Sequence, residues 1–127
     1  MSQDRWKNSP KFHLDQLLQY SDGDHEFEED LIEEYKGEFE RMTTSLEPLL
    51  QAGIAGENPD HEACVRLAHD VKGSSANIGA EGVRQVGKEM EDLAKAGKYD
   101  QVLALFPALH KEYAEFCQIW DDYKASW

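Results

Sequence analysis

His69-Asp70-Val71-Lys72-Gly73-Ser74-Ser75-Ala76-Asn77-Ile78-Gly79-Ala80 carries two patterns at once. On a helix, at about 100° per residue, positions i, i+3, i+4 and i+7 share a face, which sets His69, Lys72, Gly73 and Ala76 on one stripe. That stripe holds a base, a cation and two positions with almost no side chain. Cys64, Leu67, Val71, Ser74, Ser75 and Ile78 fall within about 60° of the opposite direction and read as core. Glu62, Val65 and Arg66 flank the His69 stripe on the side facing water. Ser74 and Ser75, on the packed side, let a neighbouring helix approach, and their hydroxyls have a carbonyl one turn back within reach.

Working outward, the spacing predicts helices throughout, and no alternating strand pattern competes. Residues 1–10 are polar, end at Pro10 and read as a loose tail, although Trp6 is able to dock. A short amphipathic helix covers Phe12 to Tyr20, and Ser21-Asp22-Gly23-Asp24 ends it and offers an N-cap to the next. Phe27, Leu31, Tyr35, Phe39, Met42, Leu46, Leu49 and Leu50 then repeat in threes and fours, the inward stripe of a long helix. Pro48 is expected to kink its last turn, and Gly53 and Gly56 close it. In Asn58-Pro59-Asp60, Asn58 reads as the cap of the motif helix and Pro59 as its first residue. Val83, Val86, Met90, Leu93 and Ala94 mark a fourth helix ending at Gly97. A last long helix runs from Tyr99, with a kink expected at Pro107. Short connections favour an all-α, up-down-up-down four-helix bundle with a short additional N-terminal helix, spanning residues 11–127.

A chain of 127 residues is one domain's worth. It holds no glycine-rich phosphate loop and no apolar run for export or for crossing a bilayer, so a cytoplasmic protein without membrane partners is expected. Cys64 and Cys117 have no metal-ligand or CxxC spacing and read as buried free thiols. The formal net charge of −13 argues against nucleic acid. Residues 21–40 carry ten acids against Lys36 alone, most simply a solubilising outer face. Residues 66–95 balance five acids with five bases, so the His69 neighbourhood escapes the acidic load.

His69, Lys72, Gly73, the Ser74-Ser75 pair and the Gly79-Ala80 exit resemble the histidine-containing phosphotransfer (HPt) family of two-component phosphorelays. The family's pattern of histidine, lysine at plus three, glycine at plus four, a small serine pair and a Gly-Ala exit is met without departure. Its helix order lies over residues 11 to 125. Chemistry agrees: an exposed neutral imidazole is nucleophilic near pH 7, and phosphoryl transfer asks the protein mainly for positioning and positive charge. The resemblance implies that Nε2 of His69 attacks an aspartyl phosphate while Nδ1 keeps its proton. Glu91, by motif position on the fourth helix, is the candidate to orient that proton. Lys72 is expected to neutralise phosphate oxygens. Gly73, at about 1 kcal/mol of lost helix propensity against alanine, leaves clearance for a partner.

The implied partners are response-regulator receiver domains and a sensor or hybrid histidine kinase. The chain would be a carrier and not an enzyme with its own ATP site; no cofactor is expected on it, since magnesium belongs to the receiver. Glu62, Val65, Arg66, Ala76, Arg84 and Lys88 are candidates for partner contact, and a monomer is favoured. His13, His25, His61 and His110 read as solvated surface. Three other readings stay open. One is a helical docking module that carries no phosphate. Another is a metal-binding or enzymatic bundle, which would need inward Glu-x-x-His pairs. The third is a kinase dimerisation helix pair, against which Gly73 stands where that family commonly has proline.

Overall fold

In a computed structural model describing residues 6–57 and 59–127, the element order is α1 (Leu14–Ser21), α2 (His25–Ile54), α3 (His61–Ile78), α4 (Glu81–Lys95), α5 (Tyr99–Ala104) and α6 (Phe106–Ala125). Among the described residues no strand forms, only an isolated bridge between Phe12 and Ala80. α3 makes its most extensive contact with α4 and its next with α2. The close approach to α4 has a local cause. A Cβ placed on Gly87 would sit 3.0 Å from the Lys72 backbone nitrogen and 3.1 Å from its Cα, so the missing side chain is what lets the two backbones come together.

Tyr35 and Ser75 join α2 to α3 through a buried hydroxyl pair at 2.9 Å. Phe39 stacks on Tyr113 of α6 at 3.9 Å between ring centroids. Trp120, Phe116, Leu17, Ile32 and Leu46 are among the largest fully buried side chains, so α1, α2 and α6 supply most of the core's bulk. The chain entering α1 is fastened to the exit of α3: the His13 amide donates to the Gly79 carbonyl at 2.8 Å. Gly79 ends α3 in the left-handed region at φ 81°, and a side chain there would run into the His13 carbonyl, so the Gly-Ala exit serves both as helix stop and as clamp.

Several expectations need correction. Asn58 lies outside the described residues, and α3 begins two residues after Pro59, capped by Asp60, whose carboxylate accepts from the Ala63 amide at 3.0 Å. An aspartate cap also complements the helix dipole. The long α2 stands as expected, with Pro48 inside it and its end at Ile54, between Gly53 and Gly56. The last long helix is instead two, broken at Leu105, with Pro107 in the first turn of α6. Proline has no amide to bond back to residue 103 and is best tolerated at a helix start. Ser74 is half-buried, its hydroxyl donating to the Asp70 carbonyl at 2.8 Å, while Ser75 is fully buried.

The inward stripe of α2 starts on Glu28, not Phe27, which is exposed. Glu28 leaves the solvated acidic face because three donors receive it: Ser21 Oγ at 2.7 Å, Tyr123 Oη at 2.8 Å and His25 Nδ1 at 3.0 Å. A buried carboxylate needs such partners. Trp6 docks edge-on against Tyr123, with centroids 5.1 Å apart, so the expected loose tail is held at that residue; its first five residues lie outside the described ones.

Gly87→Ala is expected to lower stability by about 1–3 kcal/mol through overpacking, although alanine is the better helix former by roughly 1 kcal/mol. Chemical denaturation measures the net effect. Stability at or above that of the native chain would mean that α3 and α4 move apart at no cost.

Candidate functional site

Glu91 on α4 projects at α3 and is almost completely covered, with 5 % of its surface exposed. Its Oε1 accepts from Lys72 Nζ at 2.7 Å. Its Oε2 lies 2.8 Å from His69 Nδ1 and 3.5 Å from Lys95 Nζ. The Lys72 hydrogen bond above all, helped by His69 and by the charge of Lys95, outweighs burial and holds the Glu91 carboxyl down at about 2. Glu91 is therefore ionised at neutral pH, and an ionised carboxylate only accepts. Nδ1 must then carry the ring proton, which leaves the Nε2 lone pair free. The His69 side chain is 57 % exposed, so the free nitrogen is on the solvent side of a ring whose inner edge is fixed.

Gly73, one turn on from His69, faces open space: a Cβ there would meet nothing within 4 Å. His69 stands on a ridge between two concavities. One, of about 490 Å³, is lined by Glu38, Arg41 and Met42 of α2 with His69, Asp70, Gly73, Ser74 and Asn77 of α3. The other, of about 410 Å³, lies toward α4 and includes Val65, Arg66, Glu91 and Lys95.

The structure thus brings His69, Lys72, Gly73 and Glu91 together, and it places Glu62, Val65 and Arg66 in the concavity toward α4. Ala76 is half-buried and lines neither concavity. Arg84 and Lys88 line neither: Arg84 is paired with Glu81 at 2.5 and 2.6 Å, and Lys88 with Asp92 at 3.1 Å. The other histidines are exposed as expected but, apart from His13, they have firm partners. His25 bonds Glu28 and stacks on Trp127, His61 meets Tyr99 Oη at 2.6 Å, and His110 bonds the Phe106 carbonyl at 2.9 Å. Both cysteines are free; Cys64 is buried and Cys117 half-buried. Among the described residues no group of three or more His, Cys, Asp or Glu is placed to hold a metal ion, and no helix is long and apolar enough to cross a membrane.

Sequence reasoning missed Lys95 and the α2 wall of the site. Lys95 was findable, being one helical turn after Glu91. Glu38, Arg41 and Met42 were not, because their distance from His69 is set by how α2 packs on α3.

The Hpt domain family model matches residues 26–119, which takes in α3, α4 and every residue of this cluster. The chain belongs to the Hpt domain family. This Hpt chain is 33 % identical over 117 residues to "Phosphorelay intermediate protein rdeA" of Dictyostelium discoideum, a match that covers 92 % of the chain and 44 % of that relative. The chain therefore spans less than half the length of the curated relative it matches. No solved structure matches it significantly.

The depressed Glu91 carboxyl makes a signed prediction. A group whose folded-state pKa lies below its ordinary value contributes stability above that ordinary value, here 4.5, and loses it as pH falls toward about 2. Glu91→Gln is expected to cost about 1 kcal/mol at pH 7, with the gap to the native chain narrowing at pH 3. Urea denaturation at the two pH values measures this; an unchanged gap would show that the charge of Glu91 contributes nothing.

Proposed function

We propose that the chain is a histidine phosphocarrier that shuttles a phosphoryl group between receiver-domain aspartates, or from a hybrid histidine kinase to a response regulator, through phospho-His69. The observation that carries this reading is the His69 Nδ1 to Glu91 bond at 2.8 Å on an exposed ring. In the transfer step the Nε2 lone pair forms a bond to phosphorus, and the bond from phosphorus to the aspartyl oxygen breaks. The electron pair leaves with the aspartate as carboxylate. Nδ1 keeps its proton, so the phosphorylated ring is cationic, next to the ionised Glu91. Retaining that proton keeps the imidazole a good leaving group. When a second receiver's aspartate attacks phosphorus, the bond to Nε2 breaks and its electron pair returns to the ring.

Lys72 is tethered to Glu91 at rest, within a lysine's reach of oxygens carried on Nε2. Gly73 supplies room for the receiver's active site. On this reading the receiver brings the magnesium and the acidic pocket. The chain is a carrier without an ATP site, acting as a cytoplasmic monomer. Residues 11–127 form the domain, with α2, α3, α4 and α5–α6 as the alternating members of an up-down-up-down bundle. Glu62, Val65 and Arg66 border the approach to His69, with Ala76, Arg84 and Lys88 farther out.

Incubation with phosphorylated receivers is expected to place acid-labile, alkali-stable phosphate on the native chain and none on His69→Gln. Receiver binding without transfer, unaffected by His69→Ala, would favour a docking module instead. Gly73→Ala separates clearance from folding. It is expected to stabilise the fold by up to about 1 kcal/mol while slowing transfer about tenfold, a barrier change of roughly 1.4 kcal/mol. Unchanged transfer in Gly73→Ala and in Gly73→Val would remove the clearance role.

A further inference from the structure

The charges around His69 are lopsided. Lys72 and Lys95 both lie on the α4 side, held to Glu91. On the α2 side the concavity presents Glu38 and Asp70, which would repel a phosphoryl dianion, and a single cation, Arg41. Arg41 is exposed and, among the described residues, its side chain forms no ion pair or hydrogen bond, although it belongs to the most acidic helix of the chain. Its guanidinium instead lies back along α2 over Gly37, where a Cβ would come within 3.3 Å of Nη1. Gly37 sits in mid-helix, where glycine costs about 1 kcal/mol against alanine, and its missing side chain leaves room for the Arg41 guanidinium. Gly73, in the same concavity, leaves open space on the α3 side. A long, unpaired cationic side chain thus lines the same concavity as the reactive ring.

Resting on the phosphoacceptor reading of His69, we propose that Arg41 is a second phosphate-binding cation, which swings off Gly37 to grip the phosphoryl oxygens of phospho-His69 from the side opposite Lys72. A guanidinium suits this task, since its fork can engage two phosphoryl oxygens together. Its resting place avoids neutralisation by Glu38 and Asp70. The phosphoryl group would then be held between cations from two helices, α2 and α3, and Arg41 would discriminate the phosphorylated from the free state. An alternative occupant of the guanidinium, a carboxylate of the receiver, is separated by working without any partner.

The test uses the full chain, labelled on histidine with phosphoramidate and followed by ³¹P NMR as pH is varied. A nearby guanidinium favours the dianionic phosphoryl group, so Arg41→Gln is expected to raise its second ionisation by about half a pH unit. Arg41→Lys, which keeps the charge, is expected to retain most of the native value. Glu38 and Asp70 are present in all three proteins and do not contribute to the difference. Identical titrations of the native chain and Arg41→Gln would overturn the proposal and leave the phosphoacceptor reading standing. A native chain that takes no label, or His69→Gln taking as much, would overturn both.

Discussion

A single carboxylate organises the working face of this protein. Glu91 receives His69 on one oxygen and Lys72 on the other, both within 2.8 Å, from a position almost sealed from water. Without it a histidine on a helix would present either nitrogen outward and either tautomer, and Lys72 would be one more solvated lysine. With it, the ring has one inner edge and one outer edge, and the proton is assigned by electrostatics: a carboxylate held ionised cannot donate. The contact is made where α3 and α4 approach closely, one turn on from Gly87, whose absent side chain admits the Lys72 backbone. A glycine in the packing and a carboxylate in the site are thus two parts of one device.

The second feature is asymmetry about His69. Toward α4 the surroundings are committed, with acid and bases paired. Toward α2 they are open, with a glycine facing empty space and an arginine that pairs with nothing among the described residues. A ring fixed on one flank and cleared on the other can be met by a second protein's active site while keeping its own geometry. Fixing a reactive group before its partner arrives is a general way to lower a transfer barrier. The remainder of the molecule is support: the Tyr35–Ser75 bond holds α2 against α3 beneath Gly73, and the clamp from His13 to Gly79 holds the end of α3.

What could be read from the chain and what could not divide along the range of the forces involved. The α3 stripe is a local matter of 3.6-residue periodicity, so His69, Lys72 and Gly73 were visible at once, and Glu91 followed by its place in the family motif. Hydrophobicity alone favours Phe27 as the start of the α2 stripe. Three donors from α1, α2 and α6 converge instead on Glu28, a nonlocal arrangement that no periodicity reveals. Gly87 is silent for the same reason: what it does depends on the Lys72 backbone that faces it across the α3–α4 interface. The break at Leu105 was partly legible, since Pro107 gave its position, but a proline in a helix can either bend it or start a new one, and here packing selected the start.

Everything proposed for His69 requires that it hold its proton on Nδ1 toward Glu91 and offer Nε2 to the partner. ¹⁵N NMR of the histidine rings at neutral pH reads this directly. A protonated Nδ1 and a bare Nε2 are expected for His69 in the native chain, with loss of that preference in Glu91→Ala, and phosphorus coupled to Nε2 after phosphorylation. A native ring protonated on Nε2, or phosphate carried on Nδ1, would contradict it.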